Sequence, residues 1–349
     1  MGTPLERVPR ADAREVLVTS ALRESVYGVA AATDRRLVLG GPSARPAAIF
    51  APSQPELGEG TRAVGPVATW HEARWQWDSL RPDDVAWALS FALGPGTTTA
   101  ADGTAWRHVI APDDGWSLPS FTAEEVVAPT WHDRYPGGIV RRLGIVGGSA
   151  PGSGITIAAN LLFRGWDMGT GTGIMVTAEP IWRFAASRLW IGTAYAGTYD
   201  LGQSDLAGTS ELTAWWLGFA ASIDNDVELE HLFDFAGGAA VRAERGERKL
   251  SLRATFEFAD RDLLDDLATG AARAIEIDWA SGVRAGETTQ AYGAELIWPR
   301  AVLAEATTRD GEDGRLVADL VWRVLADPTH GSFVAAVWNR TAAYAGEES

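Results

Sequence analysis

The sequence predicts a mainly β protein made of two tandem β units, each carrying one short α-helix. Three observations carry this reading. Long stretches alternate apolar and polar residues with period two, two short stretches switch to helical spacing, and each helical stretch follows a similar strand end. The alternation is clearest at Leu250 to Phe258. Leu250, Leu252, Ala254, Phe256 and Phe258 interleave with Ser251, Arg253, Thr255 and Glu257, which defines one buried and one wet face. Ala274 to Trp279 repeats the pattern, with Ile275, Ile277 and Trp279 on one side and Glu276 and Asp278 on the other. Leu316 to Val324 sets Leu316, Ala318, Leu320, Trp322 and Val324 against a mixed face with Asp319 and Arg323. Asp310-Gly311 and Asp313-Gly314 favour a hairpin turn before it. Ile139 to Val146 and Ile155 to Phe163 flank a longer, glycine-rich tip at Gly147 to Gly154.

The first helix spans Pro82 to Leu93. Pro82 suits a first turn, Asp83 and Asp84 complement the positive end of the macrodipole, and Gly94-Pro95 stops it. Val85, Leu89, Ala92 and Leu93 form one apolar stripe, while Trp87 and Phe91 form a second. A helix apolar on two sides lies between its own sheet and something else. The second helix spans Arg261 to Thr269, with Asp260 as N-cap, Leu263, Leu264 and Leu267 buried, and Gly270 at C′. Asp262, Asp265 and Asp266 are expected in solvent. Trp75-Gln76-Trp77 before the first helix matches Phe256-Glu257-Phe258 before the second. The expected division is an N-terminal arm over 1–14, β units over 15–168 and 169–345, and a tail over 346–349.

Composition narrows the function. No stretch approaches the roughly 18 apolar residues of a membrane helix, and no secretory signal is expected at the polar Met1 to Arg14. With no cysteine, disulfides, thiolate metal sites and cysteine nucleophiles are excluded. Lys+Arg 30 against Asp+Glu 46 gives a net charge of −16, unlike the basic surface that grips nucleic acid. The 16 tryptophans point to extensive cores, a subunit interface or sugar platforms.

Catalytic patterns fail one by one. No two of His71, His108, His132, His231 and His330 have helical metal spacing, so hydrogen-bonded histidines account for them. Asp224-Asn225-Asp226-Val227-Glu228 lacks the glycine and closing glutamate of a calcium loop and reads as a polar turn. The glycine-rich stretches contain neither a phosphate loop nor a nucleophile elbow. No enzyme, cofactor or metal is expected.

At this point the sequence resembles the tail tube (major tail) proteins of long, non-contractile-tailed bacteriophages. The resemblance rests on Trp77-Asp78-Ser79-Leu80-Arg81-Pro82-Asp83-Asp84 leading into Trp87-Ala88-Leu89 and closing at Leu93-Gly94. Trp106-Arg107-His108 and Leu118-Pro119-Ser120-Phe121-Thr122 follow, and later Ile297-Trp298-Pro299, Val337-Trp338-Asn339 and Tyr344. It implies β-barrel or sandwich units with a helix on the outer side, joined across subunits into rings that stack into a DNA-conducting tube.

The resemblance also sets Trp87, Phe91, Trp75 and Trp77 as candidates for the subunit interface. Trimeric rings of two-unit chains are favoured, with hexameric rings as the alternative. Implied partners are the tape measure protein and phage DNA in the lumen, held without tight binding, and the tail tip and tail terminator proteins. The implied location is the virion tail, with host cytoplasm during assembly and no membrane. The negative charge sets Glu257, Glu276 and Asp278 as lumen candidates, repelling DNA from the wall. The competing readings are a tail terminator or tail tip of the same fold, and a tryptophan-rich β-sandwich carbohydrate-binding module.

Overall fold

Period-two segments pair as antiparallel strands throughout. The computed structural model describes residues 14–19, 24, 27–39, 45–51, 65–78, 80–113, 115, 118–128, 131–149, 154–169, 178–230, 242–257, 265–266, 269–311 and 315–345. The chain opens with β1 (Arg14–Val18), β2 (Arg35–Leu39), β3 (Arg45–Ala51) and β4 (Gly65–Trp77). Helix α1 (Pro82–Leu93) leads to β5 (Thr97–Asp102), β6 (Ala105–Ile110) and β7 (Phe121–Ala128). Next come β8 (Trp131–Gly148), β9 (Thr156–Phe163), β10 (Asp167–Gly169), β11 (Ser187–Gly192) and β12 (Ala194–Tyr195). They are followed by β13 (Leu206–Ala207), β14 (Ser210–Glu211), β15 (Trp216–Asp224), β16 (Val227–Glu230) and β17 (Arg242–Arg245). The last strands are β18 (Lys249–Glu257), β19 (Ala272–Arg284), β20 (Ala291–Asp310), β21 (Leu316–Val324) and β22 (Val334–Asn339).

One order of pairing occurs twice. β7, β8 and β9 pair in sequence, β9 pairs on to β4, and β4 to β3. β19, β20 and β21 do the same, β21 pairs on to β18, and β18 to β15. β1 lies against β7 as β11 lies against β19. The short β10 flanks the start of β8 as β22 flanks the start of β20. The β5–β6 hairpin belongs to the first half alone, and its β6 pairs with β22 of the second. The halves join where β15 adds to the end of β8, with Gly218 opposite Gly148 and Asp224 opposite Arg142.

Both long strands carry a register shift at the same place in this scheme. It falls between Val140 and Arg142 in β8, and between Leu303 and Glu305 in β20. Aligning the two shifts and following the ladders outward equates Trp77 with Phe256 and Trp75 with Ala254. The match of Trp75-Gln76-Trp77 to Phe256-Glu257-Phe258 is therefore off by two residues. Two residues preserve the strand face, so the alternation alone could not detect the slip.

Helix α1 has the expected bounds. The Asp84 carboxylate accepts from the Arg81 amide at 3.1 Å, and Gly94 closes the last turn on Ser90 O at 3.1 Å. Of the second helix, Asp265, Asp266 and Thr269 are helical, and Gly270 ends it at φ +64° with its N–H on Asp266 O. The other expected helix residues lie outside the described set. Asp266 is buried rather than solvated, because Arg273 clasps both its oxygens at 2.8 and 2.6 Å. The Asp224–Asp226 stretch is a polar turn as read: Asn225 donates to Ala92 O at 2.7 Å and Val140 O at 3.0 Å, tying the end of α1 to β8.

A single apolar core runs through both halves and takes in Trp75, Trp77, Trp87, Trp182, Trp216, Trp279, Trp298 and Trp322. Every residue of α1 is buried. The assignment of Trp75, Trp77, Trp87 and Phe91 to a subunit interface is thereby overturned. Trp87 and Phe91 are wholly buried, Trp75 and Trp77 nearly so; Trp75, Trp87 and Phe91 each meet Phe121 of their own chain, and Trp77 packs on Trp75 and Trp87. The second apolar stripe meets the chain's own β1 region, where Trp87 Nε1 donates to Thr19 O at 2.9 Å. Trp87→Ala should therefore cost about 3–5 kcal/mol of folding stability, read from denaturant unfolding of the isolated chain. A change under about 1 kcal/mol would contradict the burial.

Candidate functional site

Several strands have an edge without a partner among the described residues, including β2 and β5; two others are the outer edge of β3 and β20 from Leu303 onward. On β8 the matching edge is covered by β15. Gly311 N donates to Arg315 O at 2.7 Å. The antiparallel alternation then turns the N–H and C=O groups of Ala306, Thr308 and Asp310 away from β21. An open row of this kind is a template for another strand.

The wet face of the β15–β18–β21–β20 sheet mixes hydroxyls with paired charges. Ser222 and Ser251 hydroxyls meet at 2.7 Å. Asp319 takes Arg253 Nη2 at 3.0 Å, Arg309 Nε at 3.2 Å and the Thr255 hydroxyl at 2.6 Å. Burial works to raise the Asp319 pKa, but the Thr255 hydroxyl and the two guanidiniums hold it below the usual carboxylate value. Arg142 and Asp224 pair across the join between the halves. Glu257 lies on this face, as expected, and pairs with Arg315 at 2.8 Å. An open depression here is lined by Gly147, Ser149, Arg253, Glu257, Arg309 and Arg315.

Glu276 and Asp278 are elsewhere. Both are almost fully buried, so neither lines a wet surface, and their assignment to a lumen is overturned. The turn over Thr198 to Asp205 covers that face of β19. Asp205 N donates to Glu276 Oε2 at 2.9 Å and Gly202 N to Asp278 Oδ1 at 3.3 Å. Glu295, opposite Asp278 on β20, shares the enclosure and is fully buried. Burial pushes Glu276 up to about 8, Asp278 to about 6 and Glu295 to about 11. Glu295 escaped the sequence reading, although a lone carboxylate in the apolar run Tyr292 to Trp298 was the signal for it.

A second buried centre closes the chain on itself. Asp83, at the start of α1, pairs with Arg35 of β2 and accepts from Thr341 Oγ1 at 2.7 Å and from the Tyr344 hydroxyl. Tyr344 in turn accepts from Asn339 Nδ2 at 2.8 Å, and Asn339 meets His108 Nε2 at 3.0 Å. Burial opposes the Asp83 charge, yet Arg35 keeps its pKa lowered. Glu179 accepts the Asp83 amide at 2.9 Å. Burial and then the Asp83 carboxylate push Glu179 up to about 8, and Asp84 is raised to about 6.

A family model described as phage tail tube protein matches residues 18–324. Among solved structures, the chain is similar to a mutant form of the Hcp1 protein from the E. coli EAEC 042 pathovar. The two are 13% identical over 43% of this chain and 96% of that chain, with a TM-score of 0.23. No curated protein matches the chain.

The Glu179 carboxyl makes a pH prediction with a definite sign. The folded chain keeps a proton that the unfolded carboxyl, near about 4.3, has lost, so this contribution to stability falls as pH rises from about 4.5 to about 8. Asp83 acts oppositely, and its contribution is lost only on acidification. Glu179→Gln should make the stability profile less steep between those limits, the other raised carboxyls still contributing, and raise the melting temperature at pH 8. Parallel melting curves of the two proteins across pH would count against this assignment.

Proposed function

The chain belongs to the phage tail tube protein family, and we propose that it is the subunit of a long, non-contractile tail, closing edge to edge into stacked rings around a DNA channel. The family is a structural one, and it places the chain in the virion tail. The observation that carries the ring reading is the join between the halves. β15 covers the edge of β8, while the equivalent edge of β20 and the outer edge of β3 remain open among the described residues. In this reading β3 of one copy does for β20 of the next what β15 does for β8.

The in-chain register then carries over. It sets Arg45 of one copy opposite Thr307 of its neighbour, and Ala47 opposite Glu305. Residues 15–168 and 169–345 act as the two units, so three chains close a ring with six-unit pseudosymmetry. The expected arm over 1–14 lies, but for Arg14, outside the described residues, and its role in this reading is contact with the adjacent ring. The wet face carrying Glu257, Arg253, Arg309 and Asp319 lines the channel. Its arginines are engaged by carboxylates, Arg253 and Arg309 by the one Asp319 and Arg315 by Glu257, so a passing polyanion finds hydroxyls and ion-paired guanidiniums rather than free cations. Tape measure protein and DNA occupy the channel, and the tail tip and terminator bind its ends. The chains await assembly in the host cytoplasm.

Negative-stain microscopy of concentrated protein tests the reading. Rings or tubes with threefold symmetry are expected. Failure to polymerise would move the chain to another tail component of this fold, and rings of six chains would overturn the stoichiometry. Thr308→Pro removes an outward amide without breaking a bond to β21, so it should abolish rings while leaving the melting temperature of the chain unchanged. Asp319→Asn releases Arg253 and Arg309, so variant tubes should retain DNA in about 50 mM salt and lose it by about 200 mM. Wild-type and variant tubes that elute DNA alike would remove this face from the channel.

A further inference from the structure

We propose that Asp205, Glu276 and Glu295 form a buried site for one hard divalent cation of the Ca²⁺ class. One carboxylate oxygen from each lies within 4.8 Å of the others, and all three residues are buried. They come from the turn before β13, from β19 and from β20, so only folding brings them together. A second observation is independent of their proximity. Glu295 is 0% exposed, and among the described residues no hydrogen-bond donor reaches either of its oxygens or Glu276 Oε1. Buried carboxylate oxygens without a donor require a proton or a cation.

The remaining oxygens are already oriented, as those of metal ligands are. Thr198 Oγ1 donates to Asp205 Oδ1 at 2.5 Å, the Asp200 amide reaches Asp205 Oδ2 at 3.1 Å, and the Asp205 amide holds Glu276 Oε2 at 2.9 Å. With neither histidine nor thiolate in the set, the donors suit a hard ion. Three carboxylates offer up to six oxygens, which matches the all-oxygen shell of Ca²⁺ better than the water-rich shell that Mg²⁺ retains. A bound cation would pin the Thr198 to Asp205 turn onto β19 and β20, with the Gly202–Asp278 bond anchoring its far side. The rival arrangement is a proton shared by Asp205 and Glu295.

The full chain, freed of metal with EDTA, can be titrated with Tb³⁺ as a luminescent stand-in for Ca²⁺, excited through Tyr195 and Trp190. Saturation at one Tb³⁺ per chain, displacement by Ca²⁺ and a higher melting temperature in Ca²⁺ are expected. Glu295→Gln should weaken Tb³⁺ binding at least about tenfold, while the exposed control Glu228→Gln leaves it unchanged. Should Glu295→Gln fail to fold, Asp205→Asn is read in the same titration. A wild-type chain with no saturable luminescence and equal melting temperatures in Ca²⁺ and EDTA overturns the proposal. So does a Glu295→Gln chain more stable than wild type in both, since that is the shared-proton result.

Discussion

The ladder between β8 and β15 is the constraint on which the rest of the architecture depends. It turns two copies of one strand order into a continuous sheet, and it covers one of the two equivalent edges that the repeat creates. The other edge stays open for the same reason that the first is closed: the chain contains two units, not three. A strand row with unpaired amides is ordinarily a hazard that proteins blunt with bulges, charges or prolines. Here the row at Ala306, Thr308 and Asp310 follows the register shift at Leu303 and Glu305 and continues to the hairpin at Gly311. In the proposed ring that exposure has a purpose, because the edge is where the next subunit adds its strand.

The interior serves rigidity. One core spans both halves, and the first helix is enclosed on all sides, so neither unit can turn against the other without disrupting tryptophan packing. The Arg35–Asp83–Tyr344 centre adds a polar tie between an early strand, the helix start and the last described residues. Breaking such a pair by removing one partner leaves a buried charge behind, at a cost of about 3–5 kcal/mol.

Much of this was legible in advance, and the misses share a cause. Leu250 to Phe258 and Leu316 to Val324 alternate because one face of each meets water, and they emerge as β18 and β21. β20 was harder to read: Ala294, Leu296, Ile297 and Trp298 are all buried, so the run covered on both faces shows no period. Alternation identifies a polar face but not what lies over it. Glu276 and Asp278 sit under a turn some seventy residues earlier in the chain, as their bonds to Asp205 and Gly202 show. Trp87 and Phe91 failed in the converse way. Their stripe does meet a second surface, and that surface belongs to the same chain.

The open edges of β3 and β20 are different surfaces, and under the edge-to-edge reading that asymmetry has a genetic consequence. A chain with a spoiled β20 edge and a sound β3 edge still docks on a normal neighbour, then offers nothing to the next copy. Such an allele is dominant, since in a mixed infection it terminates rings built mostly from normal protein. A defect in the shared core removes the chain before it meets a neighbour, and that allele is recessive. Complementation in mixed infection thus sorts substitutions between edge and core.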